Sequence, residues 1–163
     1  MPPPARDRIV LTGPRAAVRK LGLRLGAAAQ PGDVIALIGD LGAGKTFLAQ
    51  AVAQGIGVPR EVRVASPTFT IVQTYTARIP LIHADLYRLG GADEVADVGV
   101  FEQGADGLVV AEWADRFADA VPRDALWLEL QRVTPLQRAI RAAATGPRSE
   151  RLLAAALDED HPT

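Results

Sequence analysis

The sequence predicts an α/β fold of three layers, with helices on both sides of a mixed, mainly parallel central sheet. Three observations predict it. Val34-Ile35-Ala36-Leu37-Ile38 and Leu108-Val109-Val110-Ala111 are continuously apolar rather than alternating, the pattern of strands buried on both faces. A glycine-rich stretch, Gly39 to Gly44, follows the first of them without a gap. From Lys45 onward Leu48, Ala51, Val52 and Ile56 recur at helical spacing.

Taken in order, Ile9-Val10-Leu11 reads as a short strand, and Thr12-Gly13-Pro14 as the cap and opening of a helix carrying Val18, Leu21, Leu25 and Ala28 on one face. Pro31-Gly32 ends that helix. The strand 34–38, the glycine loop and the helix from Lys45 follow, and Gly57-Val58-Pro59 supplies a stop signal. Ser66-Pro67-Thr68 opens a strand through Phe69, Ile71 and Tyr75. Ile79-Pro80-Leu81-Ile82-His83 forms another that runs into Ala84-Asp85-Leu86-Tyr87-Arg88, so the two suit a hairpin. A polar helix covers Asp93 to Gly99, and the strand 108–111 ends on the carboxylate of Glu112. Another strand lies near Leu126 to Leu130. Leu136 to Thr145 carries both signals: its alanines favour helix, while Arg138, Ile140 and Ala142 alternate as in a strand. Strand is the reading adopted, with a helix over Glu150 to Leu157.

A chain of 163 residues, nearly half hydrophobic, fits one globular domain spanning 1–163, with disorder expected only near its ends, at about 1–8 and 158–163. The formal charge of -1 shows no basic excess, so the chain as a whole is not built to sit on a phosphate backbone. Any contact with RNA is expected through a partner. The absence of cysteine excludes a disulfide framework, thiolate metal sites and a cysteine nucleophile. No apolar run approaches the roughly 20 residues of a membrane helix, and the N-terminus lacks a signal-like apolar core. A cytoplasmic protein without a membrane partner is the expectation.

Gly39-Asp40-Leu41-Gly42-Ala43-Gly44-Lys45-Thr46 matches G-x-x-x-x-G-K-[ST]. In this pattern glycines let successive backbone N–H groups curl around phosphate oxygens at a helix N-terminus. Of the 18 basic residues only Lys20 and Lys45 are lysines, and Lys45 stands where a point charge meets the β- and γ-phosphates. The Thr46 hydroxyl would bind magnesium. The motif also sits where its physics demands, after a buried strand and opening an amphipathic helix, so the expected architecture is P-loop NTPase-like and the expected ligand is a nucleoside triphosphate with Mg2+, which the resemblance given below narrows to ATP.

A magnesium–triphosphate needs an anchor opposite Thr46, and Glu112, at the end of an apolar strand, is the best candidate. An exposed strand-end carboxylate is the alternative. Asp85 reads equally as a group ordering a water or the metal's water shell and as a turn cap. His83 reads as a packed residue or a support for its neighbours rather than as a base.

Together, the P-loop block, Ser66-Pro67-Thr68-Phe69-Thr70, His83-Ala84-Asp85-Leu86-Tyr87-Arg88-Leu89 and Glu112-Trp113 closely resemble the TsaE family, the small bacterial ATPases of threonylcarbamoyladenosine synthesis. The similarity runs in order from about Ile9 to Leu130. It implies an ATPase that is weak alone and works with TsaD and TsaB proteins in modifying tRNA, which it meets only through that complex. Hydrolysis in that family is thought to reset the transferase between turnovers.

Residue by residue, the resemblance makes Lys45, Asp85 and Glu112 catalytic and Thr46 and Glu112 the metal groups. It makes Asp40, Leu41, Gly42, Ala43, Gly44, Lys45, Thr46, Phe47 and Thr68 the ATP-binding set. Thr68 matches a switch-like segment, and Trp113 belongs either beside the nucleotide or in the core. Phe47 replaces a customary second threonine, leaving its backbone N–H but not a hydroxyl, and Ala114 replaces a customary proline. The chain after Pro135 resembles the family weakly and contributes no site residues. Two other classes compete: a P-loop phosphotransferase acting on a small-molecule or nucleotide hydroxyl, which would need an acceptor pocket and an Arg-rich lid, and a nucleotide-binding regulatory module that rarely hydrolyses. Gly99 to Gly107 is acidic and contains no arginine, so it does not supply such a lid.

Overall fold

A computed structural model describes residues 3–67 and 70–158. The order is β1 (Arg8–Gly13), α1 (Arg15–Ala28), β2 (Val34–Ile38), α2 (Lys45–Ile56), β3 (Val72–Tyr75), β4 (Leu81–Asp85), α3 (Ala92–Val98), β5 (Leu108–Glu112), β6 (Leu126–Thr134), β7 (Gln137–Ala144) and α4 (Pro147–Leu157). Short 3-10 turns, Glu102–Gly104 and Ala114–Ala120, flank β5. One seven-stranded sheet runs β1-β7-β6-β2-β5-β4-β3. Its four central strands, β6, β2, β5 and β4, are parallel, and antiparallel pairs close both sides. This is the mixed sheet the apolar runs predict. Every residue of β2, β4 and β5 is buried, because helices cover both faces.

The two faces carry separate cores. Ile35, Leu37, Leu81, Val110 and Leu128 pack under α1, α2 and α4, whereas Ala36, Ile82, Val109, Ala111 and Trp127 pack with Val95 of α3 and Val121. Strand periodicity sorts these residues, since neighbours along a strand point to opposite faces. Helices α1 and α2 approach closely enough that a Cβ on Gly26 would overlap the carbonyl of Val52, and one on Gly55 that of Leu23. No helix among the described residues is long and apolar enough to cross a membrane.

Several boundaries differ from the sequence reading, each for a local reason. Thr12 and Gly13 belong to β1, and α1 opens on Pro14, whose carbonyl accepts the N–H groups of Ala17 and Val18. The strand expected from Ser66 to Tyr75 is only Val72–Tyr75. Ile71 sits at φ 65°, a left-handed conformation that interrupts extended chain, and its N–H turns back to the Pro67 carbonyl. Thr68 and Phe69 lie outside the described residues. Strand β4 stops at Asp85, whose carboxylate accepts the N–H of Tyr87 and turns the chain. The ambiguous stretch after Pro135 is strand β7, hairpin-paired with an extended β6.

Helix α4 starts at Pro147 rather than Glu150, because Asp124, 25 residues away from Ser149, receives the N–H groups of Arg148 and Ser149, while the Ser149 hydroxyl accepts the N–H of Gly146. Within the stretch 1–8, Arg6 pairs with Glu129 at 2.9 Å and Arg8 begins β1. Residues 1–2 and 159–163 lie outside the described chain.

Candidate nucleotide site

Strand β2 delivers the glycine loop to the C-terminal edge of the parallel strands, the usual place for a ligand in an open α/β sheet. Gly42 and Gly44 adopt φ of 82° and 109°, conformations that a side chain would strain, and so turn the loop into the first turn of α2. Ala43 donates its N–H to Asp40 across the loop, at 3.0 Å. Asp40, Leu41 and Gly42 lie on the exposed rim, Leu41 at 91% exposure.

Lys45, the first residue of α2, is buried. Its ammonium donates to the carbonyl oxygens of Gly39 at 2.5 Å and Asp40 at 3.0 Å, and lies 4.1 Å from the centre of the Trp113 ring. Burial lowers its pKa, an effect resisted by the carboxylates of Glu112, Asp85, Asp115 and Asp40, in that order. The cation is thus held where anionic charge already converges.

Parallel pairing places Leu37 beside Glu112 and Glu112 beside Asp85, so three adjacent strands end at one level. Glu112 is 2% exposed, and Asp85 is also buried. The Thr46 hydroxyl donates to Glu112 Oε1 at 2.9 Å, across 66 residues of sequence. Glu112 Oε2 lies 2.6 Å from His83 Nε2. Asp85 accepts the Ser66 hydroxyl on Oδ2 at 2.9 Å and the Tyr87 N–H on Oδ1 at 3.0 Å. Glu112 is therefore no exposed strand end, and Asp85 both turns the chain and borders the cleft. His83 is fully buried against Glu112, away from solvent.

A cleft of about 500 Å³ is lined by the glycine loop, Lys45, Thr46, Phe47, Ser66, Asp85, Tyr87, Glu112 and Trp113. Trp113 lines it and does not fill the core. Its ring meets that of Tyr87 at 5.0 Å, and the Arg116 guanidinium lies 5.3 Å from the Tyr87 ring. Trp113 and Ile71 are the two non-glycine residues at positive φ among the described residues. One follows Glu112 and the other accepts the N–H of Asp85, so backbone strain of about 1–3 kcal/mol each sits beside the two carboxylates.

Behind the loop is a recess of about 240 Å³ between Arg15, Phe47 and Arg138. The Arg15 guanidinium stacks 4.3 Å from the Phe47 ring, and Arg138 donates to the carbonyl of Ala43 at 3.1 Å. Phe47 thus supplies a cation-stacking face where the customary hydroxyl is missing. Sequence reasoning missed Arg15, Tyr87, Arg116 and Arg138, since no spacing rule ties them to the loop. The alternation of Arg138, Ile140 and Ala142 is the one signal that placed Arg138 on a strand. Thr68, expected to face the nucleotide, lies outside the described residues.

The donor set suits a hard divalent cation: a hydroxyl and carboxylates, with no sulfur. No group of three or more His, Cys, Asp or Glu among the described residues forms a metal cage.

Residues 13–140 match the family model described as threonylcarbamoyl adenosine biosynthesis protein TsaE. The chain is 41% identical to the Bacillus subtilis (strain 168) tRNA threonylcarbamoyladenosine biosynthesis protein TsaE over 128 residues, covering 77% of this chain and 78% of that one. It is 38% identical to the Streptomyces coelicolor protein of the same name over 119 residues, covering 71% and 79%. The crystal structure of Bacillus subtilis YdiB superposes with a TM-score of 0.75 at 32% identity, covering 92% of this chain and 95% of that one. With most of its length matched in sequence and fold, this chain belongs to the TsaE family.

Proposed function

We propose that this protein is a magnesium-dependent ATPase required for N6-threonylcarbamoyladenosine modification of tRNA, driving turnover of a TsaD–TsaB transferase complex in the cytoplasm. The observation that carries the reading is the join between the glycine loop and β5: Lys45 lies over Trp113 while Thr46 donates to Glu112. Family membership supplies the pathway, since the relatives above are named for tRNA threonylcarbamoyladenosine biosynthesis.

In this reading the loop N–H groups and the N-terminus of α2 bind the phosphates, with Lys45 giving up one of its two carbonyl partners to reach β- and γ-oxygens. Thr46 and Glu112 hold magnesium, which when bound neutralises charge developing on the phosphates. Asp85 orients the attacking water, its carboxylate steadied by the Ser66 hydroxyl and the Tyr87 N–H. Trp113 and Tyr87 wall the cleft and limit water access to it. Hydrolysis acts as a conformational driver, weak until partners complete the site, and tRNA is met only through the complex.

The test is ATP hydrolysis by the purified protein with magnesium, alone and with the matching TsaD, TsaB and tRNA. Stimulation by the partners, together with tRNA threonylcarbamoylation that stops without this chain, supports the proposal. Tight ATP binding with no stimulation beside an active TsaD–TsaB pair refutes it. Phosphate transfer to a nucleoside or sugar hydroxyl without tRNA factors would establish the phosphotransferase alternative instead.

A further inference from the structure

We infer that His83 is a positioning residue: it holds the Glu112 carboxylate in the one orientation that presents Oε1 to Thr46 and the metal. The inference rests on the magnesium reading of Thr46 and Glu112 proposed above.

The sheet register creates the contact. Strands β4 and β5 run parallel, with His83 beside Val110 and Asp85 beside Glu112. His83 and Glu112 therefore face the same side of the sheet, one step apart on neighbouring strands, beneath the helix that Lys45 and Thr46 begin. A histidine two residues before Asp85 reaches diagonally to the end of the next strand, where an aliphatic residue would meet only Val110. His83 is 0% exposed, so its ring is an expensive occupant of a core position unless its polarity is used.

The ring uses one nitrogen and leaves the other idle. Nε2 lies 2.6 Å from Glu112 Oε2, while Nδ1 is buried with no hydrogen-bond partner. A buried N–H without an acceptor is rarer and costlier than a buried lone pair without a donor. That asymmetry puts the ring proton on Nε2 and makes His83 the donor to Glu112. Glu112 Oε2 is thereby occupied, and Oε1 alone remains for the Thr46 hydroxyl at 2.9 Å. Without this donor, the buried carboxylate would have an unsatisfied oxygen beside a lysine ammonium and a hydroxyl. It would swing to satisfy it, taking Oε1 off the Thr46 side. Outer-shell partners of this kind typically support metal affinity by roughly 10–100-fold.

Packing alone is the competing explanation, and two near-isosteric variants separate it from positioning. A glutamine at 83 can place an amide N–H where Nε2 stands, whereas an asparagine reaches only the Nδ1 position. Affinity for Mn2+, as a magnesium probe, would be measured by electron paramagnetic resonance with saturating ADP for wild type, H83Q, H83N and H83L. Nucleotide affinity in EDTA and thermal melting would be followed in parallel. The expected result is Mn2+ affinity reduced roughly 10–100-fold in H83N and H83L and largely restored in H83Q. Metal-free nucleotide affinity should stay within about twofold throughout, because that binding belongs to the loop and Lys45. If H83L does not fold, the H83Q and H83N pair decides. Equal Mn2+ affinity in H83N and H83Q, or wild-type affinity in H83L, overturns the inference while leaving the magnesium reading standing. A wild-type protein that binds ADP identically with and without Mn2+ overturns the metal reading, and this inference with it.

Discussion

Replacing Lys45 by methionine removes the ammonium while keeping most of the buried stem, and the geometry sets the size of the effect. In the free protein the ammonium is already bonded to the carbonyls of Gly39 and Asp40 and stacked on Trp113. Binding a triphosphate therefore exchanges partners rather than creating them from water. Two charge-assisted bonds to phosphate oxygens contribute about 3–6 kcal/mol. Giving up one neutral carbonyl bond and part of the cation–π contact costs about 1.5–2 kcal/mol. The net contribution is about 1–4.5 kcal/mol, so K45M should weaken ATP binding by roughly 5- to 2000-fold. Residual binding should persist through the loop N–H groups, which the substitution leaves in place. Isothermal titration with ATP and magnesium at low ionic strength, with thermal melting to confirm the fold, measures it. An affinity within about threefold of wild type would refute the placement of Lys45 on the phosphates, since even one charge-assisted bond exceeds that.

Glu112→Ala removes the partner of both Thr46 and His83, and should weaken the magnesium dependence of hydrolysis while sparing nucleotide binding in EDTA. Asp85→Ala, by contrast, should lower partner-stimulated hydrolysis about 100-fold or more with little change in nucleotide affinity, and full retained activity would remove Asp85 from the mechanism. Gly26→Ala forces a Cβ into the Val52 carbonyl at the α1–α2 contact, and should destabilise the fold by about 1–3 kcal/mol in urea melts. For Asp124, partial burial acts to raise the pKa, but hydrogen bonds from the Ser149 hydroxyl and N–H and the Arg148 N–H outweigh it and hold the group below its ordinary value. With the folded value below the unfolded one, this stabilisation is present above about pH 4 and is lost as the pH falls through the folded value. Asp124→Ala should cost about 1 kcal/mol at pH 7 and flatten the acid limb of the stability curve, and an unchanged acid limb would refute the cap.

The central strands and the glycine loop were legible in the sequence because their physics is local. An unbroken apolar run of five residues can be satisfied only by cover on both faces, as β2 and β5 show. The glycine spacing before Lys45 likewise encodes a backbone path that no distant contact has to supply. Boundaries failed where a remote group decided them. Asp124 starts α4 three residues before the sequence signal, and Ile71 at positive φ cuts β3 short.

What only the tertiary structure decided is which chemistry-bearing residues meet. From sequence, Asp85 was as good a turn cap as a catalytic group, and Glu112 could have been an exposed strand end. Parallel register brings both to one level beside Leu37, and burial at 2% forces the carboxylate of Glu112 to find Thr46 and His83. The roles of Trp113 in the cleft and of Arg138 against Ala43 arise in the same way, from strands that are neighbours in the sheet or across the loop but distant along the chain. Local pattern specifies what a segment can form, because backbone sterics and hydrophobic periodicity act over a few residues. Which side chains become partners depends on strand order and register, and those follow from how the whole core closes.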